Sequence, residues 1–370
     1  MNDAIDAHRN DFPIKGFHHV EFWVANAYQS AHYYRAIHGY EIVGYRGPET
    51  GVTDRASYAL AQGDVRLVFT GALHPEHPIS DHVRTHGPGV RDVAIHVPDA
   101  AKALELATAR GAVEARPLTT VQGEHGAWSV AAIEAYGDTI HSLVEDEAVV
   151  WPPPDFTVRN DSIAVPIGLG RIDHVVANVE LGAMDEWVDF YERVFGFVLL
   201  RHFDDEAIST EYSALMSKVV WDGEGVIRLP INEPATGRKK SQIEEYLDFY
   251  HGSGVQHIAI TTDDLVATVA EARRRGMGLM TVPGTYYDEI PGRISEVPED
   301  VDVERLRELG ILIDEDDGGI LLQIFTRMMQ DRPTFFYEFI ERRGAMGFGE
   351  GNFKALFEAI ERDQAARGNL

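Results

Sequence analysis

The amino-acid sequence predicts an α+β protein with two similar halves, each holding paired βαβββ units whose helices lie outside a curved sheet. The first observation behind this fold is a repeat. The segment from Gly16, GFHHVEFWVANAYQSAHYYRAIHGYEIVGY, is typical of a strand, a helix and a return strand, and the segment from Gly170, GRIDHVVANVELGAMDEWVDFYERVFGFVLLR, repeats that order. His174 aligns with His19, 155 residues earlier. Similarity at a fixed offset indicates duplicated structural units.

The second observation is a further match between the halves. Residues 87–112, GPGVRDVAIHVPDAAKALELATARGA, match residues 252–277, GSGVQHIAITTDDLVATVAEARRRGM, at an offset of 165 residues. About ten additional residues therefore lie in the second copy. A weaker match sets residues 135–146, AYGDTIHSLVED, beside a strand near the C-terminus.

The repeat also predicts where the domains lie. We expect an N-terminal domain over residues 1–150, a linker over 151–169 and a C-terminal domain over 170–370. The linker opens with the proline-rich sequence WPPPDF. A chain of 370 residues with 44% hydrophobic residues is long enough for about two domains with substantial cores.

Composition narrows the classes of protein. The net charge of -27 argues against nucleic acid and anionic membranes as partners. The sequence has no run of 18 apolar residues, and its first residues, MNDAIDAHRNDF, do not resemble a leader, so we expect a soluble, cytoplasmic protein. Because the chain has no cysteine, a metal ion would have to be held by nitrogen and oxygen atoms.

The segment Thr334 to Arg342, TFFYEFIER, is rich in aromatic residues and predicts a strand. Alternation along that strand puts Phe336, Glu338 and Ile340 on one face. A carboxylate between two large apolar side chains is costly to bury unless a positive group meets it. The alternative is a half-exposed strand with the carboxylate in solvent.

Two histidines in apolar strands supply candidate partners for Glu338: His174 in RIDHVVANV and His257 in GVQHIAIT. Two imidazoles and one carboxylate make up the 2-His-1-carboxylate set that binds Fe(II) and leaves coordination positions open. A single histidine in an apolar strand is more often a hydrogen-bonded core residue than a ligand. Three candidates at matching places in a duplicated fold favour the metal-binding interpretation instead.

The matching positions of the first half carry different side chains, which are His19, Asp92 and Ser142. A serine hydroxyl is a poor ligand beside imidazole and carboxylate, so we expect only the second half to hold the metal. The remaining histidines, such as those of LHPEHP (73–78) and His202, have no comparable context, and we expect them at the surface.

The C-terminal segment predicts an amphipathic helix, because Phe353, Leu356, Phe357 and Ile360 follow helical spacing. Asn352 is a plausible N-cap for it, and the preceding sequence GAMGFGEG supplies glycine hinges. The pattern fits both a lid over a site and an ordinary packed helix.

These residues resemble the 4-hydroxyphenylpyruvate dioxygenase family of the vicinal-oxygen-chelate superfamily. The segments that carry the resemblance follow the family's order and spacing over nearly the whole chain: IDHVVANVELG, TEYSALMSKVV, PINEPA, KKSQIEEYLDFYHGSGVQHIA, YYD, LLQIFT, DRPTFFYEFIERRG and GFGEGNFKALFEAIERDQ. The resemblance implies two vicinal-oxygen-chelate domains that form open barrels, the first without metal. It also implies Fe(II) as cofactor and conversion of 4-hydroxyphenylpyruvate and dioxygen to homogentisate and carbon dioxide, in tyrosine and phenylalanine catabolism.

The resemblance assigns roles to particular residues. It implies that His174, His257 and Glu338 are the metal ligands and that the C-terminal helix closes over the pocket. The residues implied to contact or orient substrate, including a phenylalanine wall that excludes water, are Ser213, Asn232, Gln242, Gln256, Gln323, Phe325, Phe336, Phe348, Asn352 and Phe353. Of these, we take Gln242, Gln256, Gln323 and Phe353 as catalytic candidates. For several of the amides, the alternative is a role in fixing the histidine rings.

Three alternative functions stay open. 4-Hydroxymandelate synthases resemble this fold and ligand set, but that family tends to carry a smaller aliphatic residue at the position of Phe353 and lacks the asparagine of PINEPA, Asn232. Extradiol catechol dioxygenases lack Gln323 and the GFGxGNF segment. A binding protein of this fold would not need ligands at all three metal positions.

Glu341 departs from the family pattern, because many members have glutamine there. Alternation puts it on the face opposite Glu338, so we expect little effect on the metal. The resemblance also implies a homo-oligomer, either a dimer or a tetramer.

Overall fold

The structure is a computed structural model that describes residues 11–146, 150–161, 163–203, 215–235, 239–316 and 318–369. It confirms the α+β class and the duplicated βαβββ arrangement, with each half curled into an open half-barrel. The described helices include none that is long and apolar enough to cross a membrane.

The first sheet has nine described strands in the order β6-β7-β8-β5-β1-β4-β3-β2-β9. Their bounds are β1 Gly16–Trp23, β2 Glu41–Arg46, β3 Arg55–Gln62, β4 Val65–Ala72, β5 Gly89–His96, β6 Glu114–Gly123, β7 Gly126–Glu134, β8 Ile140–Glu145 and β9 Thr157–Val158.

The second sheet has eight described strands in the order β11-β12-β13-β10-β14-β17-β16-β15. Their bounds are β10 Leu169–Asn178, β11 Val198–Phe203, β12 Leu215–Trp221, β13 Arg228–Pro234, β14 Gly254–Thr262, β15 Leu312–Asp316, β16 Gly319–Phe325 and β17 Phe336–Arg343.

Helices of the described residues pack against these sheets, as expected; α1 contacts β3 and β4, α3 contacts β6 to β8, and α4 contacts β11 to β13. A π-helical turn, Tyr34–His38, follows α1, and a 3-10 turn, Pro48–Thr50, follows β2. The α-helices are α1 Ala27–Tyr33, α2 Pro78–His86, α3 Ala100–Ala109, α4 Met184–Phe195, α5 Gln242–Tyr250, α6 Leu265–Arg274, α7 Gly284–Asp288, α8 Ile290–Arg293, α9 Val303–Leu309 and α10 Glu350–Ala366.

The strand registers of the two halves correspond residue by residue at the predicted ligand positions. In the first sheet Asp92 pairs with Ile140, two residues before Ser142. In the second sheet His257 pairs with Phe336, two residues before Glu338. The remaining position corresponds as well, since His19 and His174 both face an alanine of the neighbouring strand, which is Ala94 or Ala259. The alignment made from the sequence is therefore the alignment of the two folded sheets.

The main hydrophobic core of the described residues runs through both halves. The ring of Phe22 in β1 packs against Phe335, and the ring of Tyr34 packs against Tyr337 in β17, at centroid distances of 5.2 and 5.9 Å. Burial of such aromatic side chains is a large favourable term, so the halves stabilise each other.

Two local expectations need correction. The segment 151–169 is not only a linker, because β9 pairs with β2 and β10 already begins at Leu169. Helix α10 begins at Glu350 after Gly349, which has a positive φ of 74°, so Asn352 is not its N-cap. A glycine adopts that left-handed conformation readily, and Asn352 lies inside the first turn instead.

Candidate metal centre

The three candidate ligands lie on neighbouring strands of the second sheet. β14 lies between β10 and β17, and its Ala259 pairs with His174 on one side and with Glu338 on the other. His257 precedes that alanine by two residues, so period-two alternation puts its side chain on the same face. Strand pairing alone therefore brings together residues that are far apart in the sequence.

The ligand atoms of His174, His257 and Glu338 all lie within 4.8 Å of one another. Glu338 Oε2 is 3.2 Å from His174 Nε2 and 3.6 Å from His257 Nε2. The three residues are 3%, 8% and 3% exposed, so the half-exposed alternative for Glu338 does not hold. A buried carboxylate with an imidazole on either side is placed to bind a cation.

Each histidine is oriented by the residue that precedes it. His174 Nδ1–H donates to Asp173 Oδ2 at 2.8 Å, and His257 Nδ1–H donates to Gln256 Oε1 at 2.9 Å. With the proton on Nδ1, both Nε2 atoms present lone pairs to a shared point. A second acceptor behind the ring is typical of metal-ligating histidines, because it fixes the tautomer and the ring plane.

Two β-bulges explain how adjacent side chains can meet. The pairing of β10 with β14 skips Asp173 between Ile172 and His174, and it skips Gln256 between Val255 and His257. An extra residue in one strand bends it and re-aims the side chains, so alternation is broken beside both imidazoles. Matching register shifts occur in β1 between Phe17 and His19, and between the partners of Glu21 and Phe22.

The carboxylate of Glu338 is also held from behind. Gln323 Nε2 donates to Glu338 Oε1 at 3.1 Å, and Asn352 Nδ2 donates to Gln323 Oε1 at 3.2 Å. The Tyr286 hydroxyl donates to Asn352 Oδ1 at 2.6 Å. This chain of hydrogen bonds leaves Oε2 of the glutamate directed at the two histidines.

The protonation of the set favours an ionised carboxylate. Burial alone would raise the pKa of Glu338, but its hydrogen bonds to the two histidines outweigh burial and lower that pKa. Burial lowers the pKa of His257, whereas the hydrogen bonds that His174 donates to Asp173 and Glu338 overcome burial and raise the pKa of His174. The difference between the histidines arises because only His174 has a carboxylate on both sides.

The residues present fit a bound Fe(II). The donor set has two nitrogens and one carboxylate oxygen, which suits iron better than the hard, oxygen-only ions. The other polar atom of each ligand is already hydrogen-bonded, so the set converges without leaving a second buried atom unsatisfied.

The ligands open into a cavity of about 590 Å³ of empty space. The Phe336 ring stacks on the His257 ring at 4.7 Å, and the Phe348 ring meets the His174 ring at 5.2 Å. The described residues that line it are His174, Val176, Phe203, Leu215, Ser217, Val219, Pro230, Asn232, Gln242, Gln256, His257, Gln323, Phe325, Phe336, Glu338, Phe348, Phe353, Leu356 and Phe357.

Most of the residues predicted to contact substrate line this cavity. They include Asn232, Gln242, Gln256 and Gln323 and all four predicted phenylalanines. Asn352 is an exception, because it is buried behind Gln323 and does not line the wall. Ser213 lies outside the described residues.

Sequence reasoning missed several lining residues that alternation could have found. Leu215 in β12 follows the predicted Ser213 by two positions in the sequence, and Pro230 lies two positions before Asn232 in β13. Val176 follows His174 by the same spacing in β10. A period of two from each predicted residue extends the wall by one side chain.

The equivalent positions of the first half form a different site. The Ser142 N–H donates to Asp92 Oδ1 at 2.9 Å, and Arg116 Nη2 lies 3.8 Å from Asp92 Oδ2 and also contacts Ser142 Oγ. A guanidinium thus supplies the positive charge beside Asp92 in this half. Among the described residues, no cluster with metal-ligand spacing includes His19.

Glu341 is on the face away from the ligands, as expected. Its Oε2 accepts from the Leu265 N–H at 2.8 Å, at the start of α6, and its Oε1 accepts from Arg343 Nε at 2.6 Å. A carboxylate at a helix N-terminus is favourable, so the departure from glutamine has a structural explanation.

Duplicated βαβββ units with a buried His-His-Glu set in one copy are the architecture of a metal-dependent enzyme of the vicinal-oxygen-chelate class. A profile of the Glyoxalase/Bleomycin resistance protein/Dioxygenase superfamily matches residues 171–302. The chain is 43% identical to the 4-hydroxyphenylpyruvate dioxygenase of Dictyostelium discoideum, over 96% of this chain and 100% of that protein. It is 45% identical to that of Pyricularia oryzae, over 97% and 93% respectively. The chain belongs to the 4-hydroxyphenylpyruvate dioxygenase family.

The structural comparison agrees on the fold. A mutant of 4-hydroxymandelate synthase from Streptomyces coelicolor superposes with a TM-score of 0.85 and 32% sequence identity, covering 95% of this chain and 99% of that one. The duplicated fold is thus shared with an enzyme whose name indicates a different product.

Proposed function

We propose that this chain is an Fe(II)-dependent dioxygenase that converts 4-hydroxyphenylpyruvate and dioxygen to homogentisate and carbon dioxide. The observation that carries the proposal is the buried set of His174, His257 and Glu338, which opens into an amide- and phenylalanine-lined cavity in a chain of this family. These three residues would hold the iron. When bound, Fe(II) would supply chelation of the α-keto acid and activation of dioxygen.

The charges of the residues that line the cavity support a placement of the substrate with its anionic end at the metal. None of the described lining residues is a lysine or an arginine, and Glu338 is itself negative. A carboxylate that enters this cavity has only the cation to neutralise it, because burial of an unpaired charge is costly. The α-keto carboxylate is therefore directed to the ligand set and the ring to the opposite end.

The amides suit a neutral phenol at that opposite end. Asn232 and Gln242 line the cavity, and neither donates to a ligand histidine or to Glu338. Asn232 Nδ2 donates to Asn178 Oδ1 at 3.2 Å, which leaves its carbonyl oxygen to accept from a substrate hydroxyl. We propose Ser213, by family position, as an additional contact.

Gln256 and Gln323 act differently. Each is hydrogen-bonded to a metal ligand and lines the cavity, so we assign them to orienting His257 and Glu338. Phe325, Phe336, Phe348 and Phe353 exclude water from the reaction. The derived roles need no protein acid or base for the central step.

The test is product identification after incubation of the chain with Fe(II), dioxygen and 4-hydroxyphenylpyruvate. We expect homogentisate, with one dioxygen consumed and one carbon dioxide released per turnover. Oxidation of a catechol in place of this substrate would overturn the proposal, as would absence of turnover with iron bound.

The second candidate is 4-hydroxymandelate synthase, favoured by the structural similarity described above. Phe353 on α10 lines the cavity and packs edge-on against Phe203 at 5.3 Å, so it narrows the space around the substrate ring. We expect Phe353→Ile to divert part of the product to hydroxymandelate. Phe249→Ile, at a 36% exposed position of α5, is the control that should not.

We also propose that the positions of the N-terminal domain equivalent to the ligand set, His19, Asp92 and Ser142, hold no iron, and that the chain forms a homo-oligomer. Tyr28 and Tyr33 on α1 are 59% and 44% exposed and offer aromatic surface for contact between copies. Light scattering of the purified chain tests the oligomer, and a monomeric mass would contradict it.

A further inference from the structure

We propose a second metal site in the first half, in which His82, His86 and Asp138 bind a zinc ion. Apart from the set described above, these residues form the other His/Asp/Glu group of the described chain whose ligand atoms lie within 4.8 Å of one another. The site lies outside the catalytic cavity, and the proposed oxygenase does not use it.

Helix α2 aligns the two histidines. His82 and His86 are four residues apart, so they lie one above the other on one helical face. Asp138 comes from the turn between β7 and β8 and faces them. Its Oδ2 is 2.6 Å from His82 Nδ1 and 3.7 Å from His86 Nε2. A histidine pair at this spacing on a helix is an arrangement that binds zinc when a third ligand approaches.

His86 is already oriented as a ligand. Its Nδ1–H donates to the backbone oxygen of Tyr250 at the end of α5, so its Nε2 lone pair faces Asp138. Metal-ligating histidines commonly donate their second nitrogen to a backbone carbonyl. Because Tyr250 belongs to the second half, an ion at this site would also fix a contact between the halves.

The cluster has polar atoms that the described residues do not satisfy. His82 is 4% exposed, yet its Nε2 has no hydrogen-bond partner among them, and Asp138 Oδ1 has none either. Buried polar atoms are normally paired, so the unpaired Asp138 Oδ1 calls for a water or an ion. The ring nitrogen that His82 presents to the cluster is Nδ1, which lies 2.6 Å from Asp138 Oδ2.

The donor set and its surroundings suit zinc with an open fourth position. Two imidazoles and one carboxylate are typical three-residue zinc ligands, with water as the fourth. The Asp138 side chain is 33% exposed, which admits that water. Arg91 Nη1 is 4.0 Å from Asp138 Oδ2, and its guanidinium lies over the Trp23 ring at 4.8 Å, so it neighbours the carboxylate without occupying the position between the histidines.

Zinc counting by equilibrium dialysis of the metal-stripped full chain tests the proposal. We expect two zinc ions per wild-type chain, because the His174 set also accepts zinc. His86→Ala and Asp138→Asn should each retain one, and His257→Ala should also retain one. The double variant His257→Ala with Asp138→Asn should retain none. His74→Ala, at an exposed histidine of the preceding loop, should retain two.

A thermal readout keeps the test independent of activity and of folding defects. Zinc should raise the Tm of His257→Ala, because the ion binds the folded chain, and it should not raise the Tm of the double variant. Asp138→Asn conserves size at a partly exposed position, and circular dichroism checks that it folds. One zinc per wild-type chain, or a second zinc that persists in Asp138→Asn and His86→Ala, would overturn the site.

Discussion

Gln256 shows how one residue can support a ligand that follows it directly in the chain. In a regular strand its side chain would point away from His257, but the bulge puts its Oε1 2.9 Å from His257 Nδ1. A bulge likewise brings the Asp173 carboxylate within hydrogen-bond distance of the His174 ring. The pairing sets the tautomer of each imidazole, and metal affinity depends on that tautomer.

Replacing Gln256 by leucine should weaken iron binding about 10-fold to 100-fold, as loss of such outer partners typically does. The reason is that His257 Nδ1–H loses its acceptor while the ligand itself stays. Competition of the purified chain with a fluorescent chelator measures the affinity. Gln122→Leu, at an exposed glutamine of β6, is the matched control. Equal affinities in the two variants would show that Gln256 does not hold the ring.

Arg342 connects three elements around the metal centre. From β17 it donates through Nε and Nη2 to Asp173 in β10, at 2.8 and 2.7 Å. Its Nη1 donates to the backbone oxygens of Ala345 and Gly347, in the glycine-rich segment before α10. The helix that covers the cavity is thereby tied to the carboxylate that orients His174.

Arg342→Met should lower the free energy of unfolding by about 3–5 kcal/mol, because it removes an ion-pair partner of the fully buried Asp173 and leaves that carboxylate underneutralised. Urea unfolding measures this change. Arg343→Met is the control on the same strand, since its pairs with Glu341 and Asp300 are only partly buried and should be worth about 0–1 kcal/mol. Similar losses in both variants would contradict the coupling.

The elements differ in how far the sequence determines them. The strand around Glu338 was predicted over 334–342 and is observed as Phe336–Arg343, since its aromatic composition is a strong local signal. The two bulges were not predictable, because one extra residue in a ladder depends on pairing with a distant strand. The predicted N-cap of α10 was wrong for a similar reason. The Asn352 side chain donates a hydrogen bond to Gln323, which is distant in the chain, and does not cap its own helix.

Strand β9 was also missed, because two residues give no periodicity to read. The meeting of the three candidate ligands, in contrast, was predicted from their residue types together with the repeat. Duplication makes one half a template for the other, so Asp92 and His257 could be aligned before either strand had a partner. The relative positions of residues distant in the sequence could be predicted only where the sequence repeats.

At the scale of the whole molecule, His38 lies where the halves meet. It is fully buried, its ring stacks on Tyr34 at 4.7 Å, and it meets Tyr337 of the second half at 5.4 Å. Neither ring nitrogen has a hydrogen-bond partner among the described residues. Burial therefore lowers the pKa of His38 to about 3.

This lowered pKa predicts acid sensitivity. In the unfolded chain His38 binds a proton below a pKa of 6.5, whereas in the folded chain it binds one only below about pH 3. The stability of the fold therefore falls as the pH drops through this window. The loss from this residue between pH 7 and pH 5 should be about 2 kcal/mol. His38→Phe should reduce the pH dependence of the urea midpoint, and exposed His74→Gln should not. An unchanged pH dependence in His38→Phe would contradict this assignment.

The last prediction compares corresponding positions of the two halves. Asp92 and His257 occupy the same place in two corresponding sheets. Asp92 is paired with Ser142 and Arg116, whereas His257 faces Glu338. Asp92→Ala should therefore leave one iron per chain, while His257→Ala should lose iron and turnover, since two remaining ligands hold Fe(II) poorly. Iron analysis of both variants after reconstitution measures this. Iron lost from Asp92→Ala while circular dichroism shows a folded chain would place the metal centre in the first half, and full iron in His257→Ala would remove it from the second.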